Sequence, residues 1–454
     1  MKYIPSLDKN FKPIILEYNQ FISKVSALSN ANTIEVCVER NNGYNYIFSM
    51  PAYPDGTGFD EENFRIVERL VKSVLWVVGG YKVYIKGSHV LYEKLKECYS
   101  KTGERAFDND FMFTCYLKPF EVVETDNLPM PKDNTFKAGG HTNGCRIGFD
   151  AGGSDRKVSA VIDGKVVYSE EVIWNPKTAT NPEYHYNGIS EALKTAASKM
   201  PRVDAIGVSS AGVIIDNMAM VSSLFVGVDK SKYLSEAQNC YKNVIEKDFP
   251  GVPYSVANDG DITALAGSMS LGLNSVMGMA MGTSEAVGYI NADGEINGWI
   301  SELAFCPVDM TLDAPVDEWS TDKGVGCKYF SQDAVIRLAE AGGYKFDENS
   351  TKAERLVEIQ KLLENGDSLA QEIYQNIGIF LGYTIPFYHM FYNMEHLLLM
   401  GRVVSGKAGK IIVDNANKVL QDEFSNLKVN VILPDEKAKR VGQSIAASSL
   451  VNLK

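Results

Sequence analysis

The sequence has little cysteine and less histidine, and neither is grouped. Its seven cysteines (Cys37, Cys98, Cys115, Cys145, Cys240, Cys306 and Cys327) are odd in number, scattered, and form no Cys-x-x-Cys pair. That pattern suits free thiols in a reducing cytoplasm and gives neither a disulfide framework nor a structural zinc site. Long hydrophobic runs are missing too. The most apolar stretch, residues 373–400, is interrupted by Gln375, Asn376, Pro386, His389, Asn393 and Glu395, so it reads as a buried helix followed by a strand and not as a membrane span. The first residues lack the apolar core of a secretory signal. Positive charge is scarce. Lysine and arginine number 45 against 57 acidic residues, a net charge of -12, with no basic cluster, which argues against a nucleic-acid partner.

What is present is the composition of a soluble globular protein, 45% hydrophobic and 22% charged. A chain of 454 residues has room for two or three domains. Residues 1–140 read as a separate α+β unit. Residues 33–39 alternate as a strand, Asn41-Asn42-Gly43 turns the chain, and residues 44–49 return. Helices are predicted over 61–78 and 89–99 around a strand at 81–86, and a linker rich in Pro, Gly, Asn and Lys follows at 127–144.

The chemistry starts at Arg146. Residues 146–150 form a strand that ends in Asp150-Ala151-Gly152-Gly153-Ser154. Strands at 157–162 and 165–168, joined by Asp163-Gly164, make a hairpin behind it. Glycines let backbone N–H groups close on an anion, and a carboxylate beside that anion calls for a cation between them, magnesium being the usual one. The same four residues also suit an ordinary hairpin turn. Residues 204–212 are a buried strand running into a small-residue loop, where Ser210 and Gly212 either receive a polar ligand or form a tight crossover. Helices are predicted over 187–199 and 233–249. The strand 252–257 ends in Asn258-Asp259-Gly260-Asp261 before a small-residue helix at 262–271. A carboxylate at that place serves either as a general base or as a helix cap.

A second strand–turn–strand of the same design follows. Residues 275–281 lead into Gly282-Thr283-Ser284, and residues 286–290 return. Two such turns suggest a duplicated half with a nucleotide between the copies. Glu302 comes soon after, then an irregular stretch at 307–326. Helices at 331–341, 352–364, 368–388, 409–420 and 438–450 and strands at 396–400 and 427–433 complete the chain.

Taken in order, residues 145–454 resemble the ROK family of sugar kinases in the actin-like ATPase superfamily. Asp150 to Ser154 resembles the first phosphate motif, Asp-x-Gly-Gly-Thr, with Ser for Thr. Asn258-Asp259 resembles the Asn-Asp-x-x-Ala stretch. Gly282-Thr283-Ser284 resembles the second phosphate motif, Gly-Thr-Gly. Ser301-Glu302-Leu303 resembles the Gly-Glu-Ile/Leu step, and Met400 to Val403 the adenosine segment. The resemblance implies an α/β fold of two ribonuclease H-like lobes (145–270 and 271–454) with a cleft, plus the α+β unit at 1–140. It implies ATP and Mg2+ as cofactors. Gly152, Gly153, Ser154, Gly282, Thr283, Ser284, Gly401 and Arg402 would hold the nucleotide, and Asp150 the metal. Asn258 and Glu302 would hold the sugar, with Ser210 and Gly212 near it. Asp259 would be the catalytic base, and a homodimer is the family's common state.

Departures qualify this picture. The family has a histidine three residues after its glutamate and a cysteine-rich zinc loop beyond; here Phe305 stands at the histidine position and only Cys306 and Cys327 are near. Glu285 follows the second turn, where a carboxylate would repel phosphate unless it points away or helps hold the metal. Ser284 lacks the backbone freedom of glycine. The rival readings are a ROK-like sugar sensor without catalysis, an N-acetylglucosamine kinase of the BadF/BadG type, and a scaffold that kept only the fold. The family's regulators carry an N-terminal winged helix-turn-helix, and residues 1–140 show no such pattern.

Overall fold

The computed structural model describes residues 1–133, 135, 139–434 and 442–453. The chain divides into two compact units. One comprises Met1–Asn134, Met279–Ala286 and Trp299–Leu433; the other comprises Thr135–Gly278, Val287–Gly298 and Pro434–Lys454. The sequence grouped these residues as 1–140, 145–270 and 271–454. In the folded chain the N-terminal segment shares a unit with 299–433, and the C-terminal segment joins the other unit.

The N-terminal part contains α1 (Ile14–Ser26), β1 (Asn32–Glu39), β2 (Asn45–Ala52), α2 (Asp60–Val77), β3 (Lys82–Lys86), α3 (His89–Cys98), α4 (Ala106–Tyr116) and β4 (Glu121–Glu124). The sheet order is β2-β1-β3-β4, with β1 antiparallel to β2 and β3, and β3 parallel to β4. Asn42 (φ 62°) and Gly43 (φ 73°) make the tight turn before β2. Sequence reasoning missed α1 and α4. The face that α4 buries includes Asp108 and Asn109, so apolar periodicity does not reveal it.

Asp108 belongs to a buried ionic network. Lys72, fully buried, reaches Asp108 at 2.6 Å and Asp322 at 3.1 Å. Arg69 bridges Glu68 (2.6 Å) and Asp322 (3.1 Å), and Arg105 bridges Glu68 and Asp322, both at 2.7 Å. Three cations thus face three carboxylates. Asp322 sits in the irregular stretch 307–326, which this network ties to α2 and α4.

The other unit is built on β5 (Cys145–Ala151), β6 (Asp155–Ile162), β7 (Lys165–Ile173), α5 (Pro182–Ala197), β8 (Ala205–Ser210), β9 (Val213–Ile215), β10 (Met218–Val221), α6 (Lys230–Ser235), α7 (Cys240–Asp248), β11 (Tyr254–Asn258) and α8 (Asp259–Leu271). Its sheet runs β11-β8-β5-β6-β7. The strands β11, β8 and β5 are parallel, while β5, β6 and β7 are antiparallel. Ile147 and Phe149 on β5 enter a core with Ile189 and Leu193 of α5 and Val244 and Ile245 of α7. The helix predicted over 233–249 is two helices, because Glu236 leaves helical geometry (φ -127°, ψ -60°).

Beyond α8 come β12 (Val276–Met281), β13 (Glu285–Ile290), α9 (Gln332–Ala341), α10 (Lys352–Glu364), α11 (Ser368–Tyr392), β14 (His396–Met400), α12 (Lys407–Glu423), β15 (Asn430–Ile432) and α13 (Gln443–Ser448). Their sheet runs β13-β12-β14-β15, with β14 and β15 parallel. The apolar stretch at 373–400 is the end of α11 followed by β14. Among the described residues no helix is long and apolar enough to cross a membrane. Of the closing helix predicted at 438–450, residues 438–441 lie outside the described residues.

Two in-register glycines explain where α13 sits. Gly148 on β5 pairs with Gly207 on β8. A Cβ on either would come within 1.7 Å of a backbone oxygen of α13 (Ser444 or Ala447). The helix therefore lies directly on the sheet backbone. Arg146, fully buried, holds its far end by donating to the Val451 carbonyl at 2.7 Å.

Candidate functional site

One group of candidate residues lies at the carboxyl ends of β5, β8 and β11. Register puts Asp150 beside Ser209, and Ser210 beside Asn258. Asp150 is only 5% exposed. Burial pushes its pKa up to about 6; the Ser209 hydroxyl opposes this and the nearby Asp259 reinforces it. Beyond Asp150 the chain turns through Gly152 and Gly153. A Cβ on Gly152 would stand 2.7 Å from the Asp155 carbonyl, so space rather than a left-handed φ excludes a side chain. The Trp174 indole donates to the Gly152 carbonyl at 2.8 Å and pins the turn from behind. Ser154 is exposed and its hydroxyl donates to Asp155 at 3.2 Å.

Asn258 is the N-cap of α8. Its side-chain oxygen accepts from the Gly260 N–H at 2.7 Å, and its amide donates to the Gly212 carbonyl at 2.7 Å. The cap is thus Asn258, which leaves Asp259 and Asp261 for other work. Asp259 accepts at 3.0 Å from the Gly260 N–H, and burial raises its pKa. Asp261 accepts from the Tyr289 N–H at 3.2 Å, and burial pushes it up to about 7. The Ser210 hydroxyl shares a hydrogen bond with the Tyr241 hydroxyl at 2.7 Å. Gly212 (φ 109°) is packed against the Val221 carbonyl. In the loop 209–212 the polar atoms of Ser210, and of Asn258 beside it, have protein partners.

A second turn of candidate residues lies in the other unit. Gly282 donates to the Ser284 carbonyl at 3.0 Å and closes the turn, while the first N–H of α9, on Gln332, takes the Gly282 carbonyl at 2.9 Å. Thr283 and Ser284 are exposed. Ser284 does not have positive φ, so serine costs this turn no backbone strain. Arg402 donates to the Thr283 hydroxyl at 3.0 Å, which brings the residue after Gly401 to the second turn. Gly401 (φ 94°) is required where the end of β14 crosses β12, because a Cβ would meet the Met281 carbonyl at 2.3 Å.

Glu285 points away from the turn. It is 4% exposed, approaches the Tyr388 hydroxyl at 3.4 Å, and is pushed up to about 8 by burial, with Glu302 adding to the rise. A neutral acid turned inward does not repel phosphate. Glu302 is held by the N-terminal part of the chain. The last carbonyls of α2, on Trp76 and Val77, accept from the N–H groups of Glu302 (2.8 Å) and Ser301 (3.0 Å), so the helix end and this segment satisfy each other. Phe305, one turn later, packs between Trp76 (4.7 Å) and Trp319 (5.0 Å).

Sequence reasoning missed Lys177, whose ammonium stands 3.2 Å from where a Cβ on Gly153 would be. It lies on a single 3-10 turn after β7, far from any motif. Among the described residues no group of three or more metal-binding side chains occurs. Magnesium fits Asp150 all the same, since it commonly takes one carboxylate and fills its shell with water and phosphate oxygens.

No family model matches the sequence, and no curated protein matches it. Solved structures do. The ROK hexokinase from Thermus thermophilus superposes with a TM-score of 0.52 at 15% identity, over 67% of this chain and 97% of that one. The chain has the ROK hexokinase fold. This is an actin-like ATPase fold, and a third of the chain lies outside the matched part. A ROK-family transcriptional regulator, a homolog of the E. coli MLC protein, matches at a TM-score of 0.50 and 17% identity, over 67% of this chain and 78% of that one. The ROK fold thus serves a hexokinase and a regulator alike, and the choice between them rests on side chains.

Proposed function

We propose that the protein transfers the terminal phosphoryl group of ATP to a hydroxyl of a hexose or N-acetylhexosamine. The observation that carries this reading is the carboxylate of Asp259, which forms no ion pair among the described residues and is raised by burial, at the start of α8 and electrostatically coupled to Asp150. A structural carboxylate can be satisfied by hydrogen bonds alone, as Asp309 is by the Tyr329 hydroxyl and the N–H groups of Lys12 and Thr311. A general base needs instead a pKa lifted toward neutrality and a free oxygen. Asp259 takes the proton from the attacking hydroxyl. Asp150 would hold the metal, and the turns at Gly152-Gly153 and Gly282-Thr283 would offer backbone N–H groups to phosphate oxygens. Bound magnesium supplies charge neutralisation, the main requirement of phosphoryl transfer. Glu302 receives sugar hydroxyls.

A second reading, a sugar-binding sensor or scaffold without catalysis, draws support from Ser210 and Asn258, whose polar atoms are engaged within the protein. Coupled ADP release with Mg-ATP over a panel of hexoses, N-acetylhexosamines and polyols decides between them. Turnover on one sugar, lost in Asp259→Asn, establishes the kinase. Sugar binding by calorimetry with no turnover establishes the sensor.

A further inference from the structure

The first phosphate turn is crowded with negative charge. Asp150 and Asp259 stand at its base, and Asp155 follows it. Lys157, the lysine nearest in sequence, is shared between Asp155 (3.5 Å) and Glu171 (3.8 Å). An ATP phosphate brought to this turn meets several carboxylates, and one magnesium ion offsets only part of that charge. Lys177 is different. It is exposed and makes no ion pair or side-chain hydrogen bond among the described residues. A Cβ on Gly153 would lie 3.0 Å from its Cε and 3.2 Å from its Nζ, so the ammonium rests on the open face of the second glycine.

The position is built. Pro176 begins the 3-10 turn Pro176–Thr178, and its carbonyl accepts from the fully buried His185 ring at 3.1 Å. The Lys177 carbonyl is packed against Gly227, where a Cβ would come within 2.8 Å. The backbone that carries the lysine is therefore fixed on both sides, and only the side chain is free to follow a ligand. Glycine at 153 leaves the room that this ammonium occupies.

We propose that Lys177 is a phosphate-binding residue, its ammonium donating to the terminal phosphate oxygens of a nucleoside triphosphate held on the Gly152-Gly153 turn. This rests on the kinase reading for the identity of the ligand, and on the geometry of the turn for the role of the lysine. Lysine acts here as a movable point charge, so arginine at 177 keeps most of the effect while methionine, of similar length, removes it.

The test is calorimetry on the full chain and its Lys177→Met and Lys177→Arg variants, with AMPPNP, ADP and AMP at fixed magnesium and low salt. The expected result is a loss of about tenfold or more in AMPPNP affinity for Lys177→Met, a smaller loss for ADP and none for AMP, with Lys177→Arg within about threefold of wild type. Equal losses for AMPPNP and AMP would mark a merely structural role and overturn the assignment. So would unchanged AMPPNP binding in Lys177→Met, with the kinase reading intact. If the wild type binds no nucleotide, the kinase reading fails first. Titration with magnesium pyrophosphate then judges the lysine alone: binding that Lys177→Met abolishes sustains it, and no binding by the wild type overturns it.

Discussion

Two groups of wholly or partly buried carboxylates in this molecule show what loss of solvent does with and without a counter-charge. Glu68, Asp108 and Asp322 share their burial with Arg69, Lys72 and Arg105. Burial alone would raise Asp322, yet Arg69 and Lys72 hold it below the ordinary carboxylate range. Asp108 stays raised by burial although Lys72 pulls against it. Among the described residues Asp150, Asp259 and Asp261 form no ion pair, and all three are raised, Asp150 against the pull of Lys157. The first group fastens the stretch 307–326 to α2 and α4. The second is costly to the folded state, as carboxylates gathered at functional sites commonly are.

The contrast is sharpest in activity. Asp259→Asn should lower kcat on the best sugar by about 10²–10⁴-fold, the usual worth of a general base, with the thermal midpoint not lowered. A midpoint that falls in step with kcat would mean Asp259 is structural and would collapse the distinction.

Next is the paired group. Asp322→Ala leaves Arg69, Lys72 and Arg105 with too little negative charge and should cost about 3–5 kcal/mol in denaturant unfolding. A loss below about 1 kcal/mol would show that the network tolerates an uncompensated cation.

Glu285 tests burial without a counter-charge in the same unit as the paired group. Its folded pKa of about 8 exceeds its ordinary 4.5, so the folded state holds the proton more tightly than the unfolded chain. The stability this gives is full below 4.5 and is lost as pH rises through about 8. Glu285→Gln lacks that proton, so unfolding at about pH 5, 7 and 9 should show the variant gaining on wild type by a few kcal/mol, then levelling off. A pH-independent gap would place the carboxylate in contact with water.

Asp150→Asn should do the opposite of Asp322→Ala. Because Asp150 is raised to about 6, wild type loses stability between the ordinary 3.8 and 6. At neutral pH the variant should be more stable by about 1–3 kcal/mol while losing magnesium-dependent nucleotide binding. The wild-type kcat/KM should fall below about pH 6 as Asp150 takes up its proton, less so with saturating magnesium. The smallest effect belongs to Ser284→Gly. Ser284 already has an unstrained backbone, so ATP affinity should stay within about threefold of wild type.

The turns and strand ends were legible because they need particular residues. Asp150-Ala-Gly-Gly and Asn258-Asp259 sit where strands end, and glycine spacing and small residues mark such places in any sequence. The Asp163-Gly164 hairpin was legible for the same reason, with both residues at positive φ (46° and 77°). The direction of Glu285 was not legible. Strand alternation puts it on one face or the other, and only the packing against Tyr388 and Gly326 says which. Lys177 carries no motif at all; it is one exposed lysine among many until the fold sets it over Gly153.

The sequence by itself determined the local chemistry: which strands end in carboxylates and which turns have no side chains. Those features depend on a few neighbouring residues, so they can be read along the chain. Tertiary structure decided which unit each segment joined. It brought α2 to the backbone of Glu302, seated α13 on the glycines of β5 and β8, and gave the carboxylates of one group their cations while leaving the other group without. Burial and charge compensation depend on residues hundreds of positions apart, as Arg105 and Asp322 are, and no local pattern encodes them.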